Sequence, residues 1–492
     1  MRVAVVGAGF GGLSAACHLA GRGHEVVVFE REAVPGGRAG LVEEAGYRLD
    51  PGPTVLTMVG ILDETFRAAG ADMAEHLRLA PVDPMYRACF PDGSVLHVRH
   101  GRETMAAEID AFAGPVEAAG FHRFCAWLEQ LYELEFPNFI ARNYDSPVDL
   151  IRDPAALFRL VRLGALRKLA PTVESYFSDP RLQRIFSFQA MYAGLSPFEA
   201  LAIYCVITYM DTVEGVFFPD GGIHEVGRAL AGAAEKAGAS FTFGEAVDRI
   251  TRNADGSVRG VKLAGGEHVA ADAVVCNVDL SVAYRRLLGL DPPLVARRGR
   301  YSPSCIVWLA GVRGALPVEA THHNIHFGTA WREAFDALLR DGRRMPDPSL
   351  LVTCPTVSDP SLAPAGGSAL FALEPAPNLD GRVDWERERA TLRDELAERV
   401  GALGYPVDDV VVERLTDPRD WEAQGLERGT PFALAHRFFQ TGPFRPANTD
   451  RRIPGVVFTG MGTVPGVGIP MVLISGRLAA DRVDEWAGRR AG

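Results

Sequence analysis

The sequence predicts an α/β fold in which segments from both ends of the chain contribute to one parallel sheet. Near the start, a buried-strand pattern, a glycine turn, a helix pattern and a second strand follow one another over residues 2–30. Near the end, residues 456–483 show the order of buried strand, glycine-rich loop and amphipathic helix. The chain has 492 residues and single cores stop growing near ~250–300 residues, so we also expect an inserted second domain.

Composition and charge exclude several classes of function. The net charge of −11 disfavours nucleic acid as a partner, because phosphate backbones require a basic face. The seven cysteines are scattered and form no CxxC pair, so we expect neither a disulfide framework nor a zinc site, and a reducing cytoplasm fits best. The most apolar run, residues 201–210, is about half as long as the ~20 residues of a spanning helix. We therefore expect a cytoplasmic protein that does not cross a membrane.

The first glycine turn has the spacing G-x-G-x-x-G between a strand and a helix. Gly7 permits the tight turn, Gly9 lets a pyrophosphate approach the backbone, and Gly12 allows close helix packing. The N-terminus of the following helix offers free N–H groups to the phosphates. Glu30 ends the second strand, where a carboxylate can accept hydrogen bonds from ribose hydroxyls. Because strand, turn, helix and terminal acid agree, this stretch predicts a dinucleotide site.

A second glycine pair indicates which dinucleotide is bound. Gly36, Gly37 and Arg38 follow Glu30 in "EREAVPGGRAG". A flavoprotein needs such a pair, because its chain turns back over the cofactor and an arginine can neutralise the pyrophosphate. The Pro/Gly-rich stretch "YRLDPGPTVLT", residues 47–57, then suits backbone laid along an isoalloxazine ring. The sequence therefore predicts FAD.

The glycine-rich loop before the last helix predicts where the flavin ring lies. FAD is long, so a segment distant from the first glycine turn must hold its ring. In "GVGIPMVLISGRLAADRV", residues 466–483, Pro470 falls near the first helical position, where its missing N–H costs nothing. A helix N-terminus aimed at the N1/O2 edge would stabilise the negative charge of the reduced ring.

The chain resembles the bacterial phytoene desaturase family of FAD-dependent carotenoid oxidoreductases, within the amine-oxidase-like flavoproteins. The stretches that resemble it are "VVGAGFGGLSAA", "PGGRAG", "LDPGPTVLT", "FSFQAMYAGLSPFEALAIY", "GVFFPDGGIHEVGRAL", "HHNIHFGTAWREAF", "TVSDPSLAPAGGSALFALEPAPNL", "FRPANTD" and "GTVPGVGIP". The resemblance implies that FAD takes a hydride from a polyisoprenoid hydrocarbon while a proton leaves the neighbouring carbon, and that oxygen or a membrane quinone reoxidises the flavin. Two positions depart from the family pattern: Val464 replaces a frequent histidine, and Met471 a frequent glycine.

The resemblance also implies the domain plan. A Rossmann-like FAD-binding domain is expected from residues 1–75, 222–284 and 440–492, and a mixed α+β substrate domain with a helical lid from 76–221 and 285–439. Relatives place a valine matching Val247 against the adenine. The candidate cofactor contacts are Gly7, Gly9, Phe10, Gly11, Gly12, Glu30, Arg31, Gly37, Arg38, Pro53, Thr54, Val247, Gly460, Met461, Gly468, Ile469 and Met471.

A hydrocarbon substrate has no polar group, so the pocket is expected to be a long apolar tunnel. The stretch 186–210 supplies aromatic and aliphatic residues at helical spacing. Asp149 and Arg152 stand three apart after Pro147, and relatives place such a pair at the border of the cavity, so both are candidate catalytic residues. Residues 159–170 carry four cations among leucines, which is typical of a solvated helix. Because the substrate dissolves only in lipid, we expect peripheral membrane association.

Several alternatives remain open at this point. The leading substrate is phytoene, and the nearest rivals are a C30 desaturase, a 3,4-desaturase or an isomerase. A protein of another class, a non-catalytic prenyl carrier of the same fold, would not need flavin. No metal site is expected: His322 and His323 are adjacent in a strand pattern, so they should point to opposite faces, and no third ligand matches them.

Overall fold

The computed structural model describes residues 1–491 and contains two main sheets with helices packed around them. The strands, in chain order, are β1 (Arg2–Val6), β2 (Glu25–Glu30), β3 (Val42–Glu44), β4 (Tyr47–Leu49), β5 (Leu79–Pro81), β6 (Tyr86–Cys89), β7 (Val95–Val98), β8 (Phe217–Pro219), β9 (Ser240–Phe243), β10 (Val247–Arg252), β11 (Val258–Leu263), β12 (His268–Ala270), β13 (Ala273–Cys276), β14 (Ser304–Arg313), β15 (His323–His326), β16 (Leu350–Thr353), β17 (Gly367–Ala376), β18 (Val410–Thr416) and β19 (Val456–Phe458). The α-helices are α1 (Phe10–Gly21), α2 (Val59–Ala68), α3 (Met73–His76), α4 (Arg102–Ala113), α5 (Pro115–Glu135), α6 (Pro154–Arg162), α7 (Leu169–Glu174), α8 (Pro180–Ile185), α9 (Val206–Thr208), α10 (His224–Lys236), α11 (Leu280–Val282), α12 (Leu294–Arg298), α13 (Arg332–Asp336), α14 (Trp385–Ala402), α15 (Pro418–Ala423) and α16 (Ile469–Ala491).

The first sheet is parallel and has the strand order β19-β13-β1-β2-β9. Its strands come from residues 2–30, 240–276 and 456–458, so segments from the start, middle and end of the chain are hydrogen-bonded side by side. Alternate residues of β1 point to opposite faces. Val3 and Val5 join the core that includes α1 and α16, whereas Ala4 and Val6 join the core on the other face. Apolar cover on both faces is typical of a parallel sheet.

The second sheet is mixed and has the order β18-β14-β17-β16-β15-β6-β7. Its neighbouring strands are antiparallel except for the pair β15 and β6. On one face, Trp308 of β14 lies in the same core as Leu392 and Leu396 of α14. The helices α4 to α9 follow β7 in the chain.

Two stretches expected as helices are interrupted in the structure. Residues 186–210 form short 3₁₀ turns at Phe188–Ala193 and Ala202–Cys205, then α9. Gly194 ends the first turn with a φ of +72°, a value that glycine adopts without strain. The cationic stretch 159–170 is also divided, because α6 ends at Arg162 and Lys168 precedes the first residue of α7. In both stretches, therefore, residues with helical spacing do not form one continuous helix.

Among residues 1–491, the helices are either too short or too polar for any of them to cross a bilayer.

Candidate active site

The first glycine turn packs so closely that only glycine fits at two positions. Gly7 has a φ of +96°, and its N–H donates to the Phe29 carbonyl at 2.8 Å. A Cβ placed on Gly12 would lie 2.0 Å from the carbonyl oxygen of Gly7. The spacing therefore serves turn geometry at Gly7 and helix contact at Gly12, as the motif predicts.

The second glycine pair returns the chain onto this turn. Gly36 donates its N–H to the Ala8 carbonyl at 2.9 Å, and Gly36 forms an isolated parallel bridge with Gly9. A Cβ on Gly37 would lie 3.1 Å from the Gly9 Cα. The space beside Gly9 is thus bounded by backbone, which leaves room for a flat or extended ligand.

Glu30 is buried at the end of β2 and its carboxylate binds main-chain N–H groups. One oxygen accepts from Ala8 at 2.6 Å and the other from Glu32 at 3.0 Å. The side chain is 7% exposed and lines the cavity described below. The carboxylate is held in place by the turn itself, so a ribose hydroxyl would meet a fixed acceptor.

Segments from the middle and the end of the chain meet at Gly11. A Cβ on Gly11 would lie 2.7 Å from Oδ1 of Asn277, 3.0 Å from Oγ1 of Thr459 and 3.2 Å from the Gly460 nitrogen. Asn277 follows β13, and its Nδ2 donates to the Gly7 carbonyl at 3.3 Å. Within residues 1–491 the buried Thr459 hydroxyl has no hydrogen-bond partner. An unpartnered hydroxyl beside the glycine turn fits a polar ligand such as the FAD diphosphate or ribityl chain.

Sequence reasoning missed Asn277 and Thr459, although a signal was present. Asn277 comes directly after β13, and Thr459 directly after β19. In open parallel sheets, ligands bind beyond the carboxyl ends of the strands. That rule, applied to the strand patterns in the middle and last segments, would have predicted both residues.

Arg38 provides positive charge in the same cavity. Its Nη1 donates to the Pro431 carbonyl at 3.0 Å. Burial lowers the pKa of the guanidinium, and Asp279 offsets part of that shift. Burial raises the pKa of the Asp279 carboxyl to about 6, with a further contribution from Glu427. In such a site, an anionic phosphate would stabilise the charged form of the arginine.

Arg445 holds the loop that precedes α16. Its Nε donates to the Thr463 carbonyl at 3.0 Å and its Nη2 to the Met461 carbonyl at 2.6 Å. Nη1 donates to the carbonyls of Leu434 and Gln440. Burial lowers the pKa of Arg445 to about 10, so the side chain stays charged at neutral pH. Sequence reasoning missed this role, because a single arginine in "FRPANTD" carries no sign of its burial.

A histidine from another segment lies against the same loop. Val464, the residue that departs from the family pattern, is buried and lines the cavity. The ring of His436 is so close to Gly466 that a Cβ there would lie 2.2 Å from Cε1. Nε2 of His436 is 3.4 Å from the Val467 nitrogen, which donates to it. Burial, with Arg445 nearby, holds the pKa of His436 well below its ordinary value, so the ring is neutral.

One cavity of about 1150 Å³ contains these groups and continues between the inserted helices. The candidate cofactor contacts that line it are Gly7, Gly9, Phe10, Gly11, Glu30, Arg31, Gly37, Arg38, Pro53, Thr54, Val247, Gly460, Met461, Gly468, Ile469 and Met471. Gly12 instead packs behind the turn. The remaining wall is mostly apolar and includes Phe139, Ile140, Leu150, Leu157, Leu160, Ile203, Ile207, Met210, Phe327, Trp331 and Phe335. The acids Glu135 and Asp211 interrupt this apolar wall.

Asp149 and Arg152 form the expected pair, but neither side chain lines the cavity. Nη2 of Arg152 lies 2.9 Å from Oδ1 of Asp149. Asp149 is buried in the 3₁₀ turn Pro147–Ile151 and accepts from the N–H groups of Asp145 and Ser146 at 2.7 and 3.1 Å. Leu150 does line the cavity, so the pair borders its wall. The catalytic role of the two stays a prediction.

The adjacent histidines are buried and do not point to opposite faces as expected. His322 precedes β15, and the ring centroids of His322 and His323 are only 4.4 Å apart. His322 hydrogen-bonds with Ser358, while the two ring nitrogens of His323 lie 3.1 Å from the Met85 and Thr54 carbonyls. Burial lowers the pKa of His323 to about 4. No group of three or more metal-ligating side chains is found in the described part of the chain.

The fold and this site define a flavin-dependent oxidoreductase, and comparisons with known proteins give the family. Residues 10–484 match the flavin-containing amine oxidoreductases. A phytoene dehydrogenase of Streptomyces griseus is 48% identical over 98% of this chain and 94% of that protein. A zeta-carotene-forming phytoene desaturase of Myxococcus xanthus is 38% identical over 99% of this chain and 94% of that protein.

A solved structure agrees at the level of the fold. Cyclohexylamine oxidase from Brevibacterium oxydans superposes with a TM-score of 0.59 and 18% identity, over 100% of this chain and 99% of that chain. The chain thus belongs to the flavin-containing amine oxidoreductases and, within them, to the phytoene desaturase family. It is an FAD-dependent carotenoid oxidoreductase.

Proposed function

We propose that this enzyme introduces double bonds into phytoene during carotenoid biosynthesis. The single observation that supports this most is the cavity, in which a dinucleotide site and an apolar wall are continuous. The names of the two relatives above, a phytoene dehydrogenase and a phytoene desaturase, support the same substrate.

FAD, when bound, supplies the two-electron acceptor that takes a hydride from the hydrocarbon. The protein would bind and orient the reactants. The backbone at Gly9 and Gly37 and the Arg38 side chain would hold the diphosphate, and Glu30 would orient the adenosine ribose. The N-terminus of α16 would hold the flavin ring, and its partial positive charge would favour the reduced, negative form. The apolar wall binds the substrate by burial, at roughly 25 cal/mol per Å² of apolar surface.

We further infer that the three segments 1–75, 222–284 and 440–492 act as one FAD-binding domain, with 76–221 and 285–439 forming the substrate domain and lid. Strands from each of the three segments in the parallel sheet support this division. The contact of Gly11 with Asn277 and Thr459 supports it at the site itself.

We infer that the enzyme works at a membrane surface. An apolar patch beside the cavity supports this, and its members are the exposed side chains Val148, Ile151, Phe158, Val161, Phe438 and Phe439. The turn Gly442–Phe444 packs against the turn Pro147–Ile151, and the ring of Phe439 contacts Phe444, so the two parts of the patch adjoin. Neighbouring Arg152, Arg159 and Arg162 would meet anionic lipid headgroups. A membrane quinone, or oxygen, is the expected final electron acceptor.

The test is expression in a bacterial host that makes phytoene and no later carotenoid. We expect coloured carotenes with extended conjugation, and the product profile gives the number of steps. Coloured products only from a C30 precursor, or only from an already coloured carotenoid, would favour one of the rival flavoenzymes. If the purified protein shows no flavin absorbance even after FAD is added, that result would contradict the proposal and favour a non-catalytic prenyl carrier.

A further inference from the structure

Asp211 is a buried carboxylic acid in the apolar part of the cavity wall. It ends the most apolar run of the sequence and lies in the π-helical turn Tyr209–Val213. The residue is 2% exposed and lines the cavity. Its Oδ2 accepts a hydrogen bond from the Tyr86 hydroxyl at 3.0 Å. Within residues 1–491, its Oδ1 has no hydrogen-bond partner.

A carboxyl group in this place does not serve substrate affinity. A hydrocarbon offers no hydrogen bond, and burial of a polar group without a full set of partners is unfavourable. The groups facing Asp211 are Tyr86 of β6 and, from the turn Phe188–Ala193, Gln189 and Tyr192. None of these is a cation, so no ion pair accounts for the acid.

Burial raises the pKa of Asp211 to about 7, and the hydrogen bond from Tyr86 limits the rise. A base with a pKa near the working pH is best suited to proton transfer, because it is partly ionised and still binds the proton strongly. Perturbed carboxyls in a cleft are candidates for this role.

Two contacts connect Asp211 with the segment expected along the flavin ring. The Tyr86 ring lies 5.5 Å from the His323 ring, centroid to centroid, and His323 lies 3.1 Å from the Thr54 carbonyl. Thr54 is one of the candidate cofactor contacts. Six residues after Asp211, Phe217 donates its N–H to the Leu56 carbonyl at 2.8 Å. Asp211 is therefore connected through Tyr86 and His323 to the segment expected along the ring.

We propose that Asp211 is the base that removes the proton from the substrate. The inference rests on the desaturase function proposed above. In the step, a hydride leaves one substrate carbon to the flavin as the two-electron acceptor. The C–H bond of the adjacent carbon breaks, its electron pair forms the new C=C bond, and the proton binds to the Asp211 carboxylate.

Glu135 is a second acid of this wall, and it is less suited to the role. It also has an oxygen without a partner in the described residues and lines the same cavity. Burial alone raises its pKa well above the ordinary value, with no hydrogen bond to lower it. This shift favours the protonated form of Glu135, which accepts no further proton.

The test compares Asp211→Asn with Asp211→Glu and Glu214→Gln in the full-length holoenzyme. Asparagine keeps the acceptor for Tyr86 but takes up no proton, so we expect kcat with phytoene to fall by about 10²–10⁴-fold at unchanged flavin content. Asp211→Glu keeps a carboxylate, so its rate should lie between those of Asp211→Asn and the wild type. Glu214, three residues farther along, is half-buried and outside the cavity wall, so Glu214→Gln should leave the rate unchanged.

Infrared difference spectra across the neutral pH range provide a readout that does not depend on turnover. We expect two buried carboxyl C=O bands, one from Asp279 that titrates near pH 6 and one that titrates near pH 7 in the wild type and in Glu214→Gln. Only the band near pH 7 should be lost in Asp211→Asn. The inference is overturned if Asp211→Asn retains the wild-type rate, or if the band near pH 7 survives the substitution. A wild-type holoenzyme that leaves phytoene unchanged would instead overturn the proposed function, a result separate from either of these.

Discussion

The hydroxyl of Ser14 donates a hydrogen bond to the main-chain carbonyl of Leu473, with 2.7 Å between the two oxygens. This contact joins α1, which follows the first glycine turn, to the first turns of α16. The two helices pack directly, and α16 begins where the flavin ring is expected. The start and the end of the chain therefore form one wall of the cofactor site.

Gly476 allows this helix contact, and its replacement should separate the helices. A Cβ at Gly476 would lie 2.5 Å from the Ser14 Cβ and 2.6 Å from the Gly11 carbonyl oxygen. We expect Gly476→Ala to destabilise the protein by on the order of 1–3 kcal/mol and to reduce bound FAD, measured by thermal unfolding and the flavin-to-protein absorbance ratio.

Gly488 provides the matched control on the same helix. It is exposed, and a Cβ there would meet nothing within 4 Å. Gly488→Ala should keep full flavin content and raise stability by roughly 0.5–1 kcal/mol, because alanine favours helix. Equal flavin content in both variants would show that the α1–α16 contact does not support the cofactor site.

Substitutions of Asp149 and Arg152 can distinguish a structural role of this pair from a catalytic one. Asp149→Ala removes the acceptor for two N–H groups as well as the ion pair, and we expect a loss of about 0.5–2 kcal/mol in stability together with lower turnover. Arg152→Ala removes only the half-exposed partner, so turnover should fall with little change in unfolding temperature. Steady-state rates at matched flavin content decide the point. Wild-type turnover in both variants would end the catalytic assignment.

The apolar patch should bind lipid through its most exposed rings. Phe158 is 67% and Phe439 is 71% exposed. We expect the double variant Phe158→Ser, Phe439→Ser to weaken binding to anionic liposomes by on the order of ten-fold, measured by co-sedimentation. Val318 is fully exposed in the chain between β14 and β15, so Val318→Ser is the control and should bind as the wild type does. Unchanged sedimentation of the double variant would argue against the patch as the membrane contact.

Stability should depend on pH through Asp211. Its carboxyl has a pKa of about 7 in the fold, against 3.8 for the free group. Between these values the folded protein holds a proton that the unfolded chain has released, so this contribution to the free energy of unfolding falls as the pH rises from about 4 to about 7. Asp211→Asn lacks this contribution. As the pH rises from about 4 to about 7, the unfolding temperature of the variant minus that of the wild type should therefore increase. A constant difference would mean that the carboxyl is not perturbed.

The sequence predicted the parts of the site that depend on local backbone geometry. Gly7, Gly12 and Glu30 occupy the positions expected of them, because a strand–turn–helix unit leaves few alternatives for those residues. The loop before α16 lines the same cavity, and its glycines and Pro470 are local signals of a helix N-terminus.

The parts that depend on distant contacts could not be predicted in the same way. Arg445 acquires its role from carbonyls up to 18 residues away in the chain, and Asp211 from its contact with Tyr86, 125 residues away. Residues 186–210 have helical apolar spacing but form no continuous helix, for the local reason that Gly194 and Pro197 interrupt the stretch. An acid at the end of so apolar a run was nevertheless a visible signal of function.

The most direct test of the account is anaerobic reduction of the bound flavin by phytoene. The purified holoenzyme is mixed with phytoene in liposomes without oxygen or quinone, and the flavin and carotenoid absorbances are followed together. The account predicts that the oxidised flavin band disappears as one new conjugated double bond forms per flavin. A flavin that stays oxidised while phytoene is bound, or coloured product formed without flavin reduction, would contradict it.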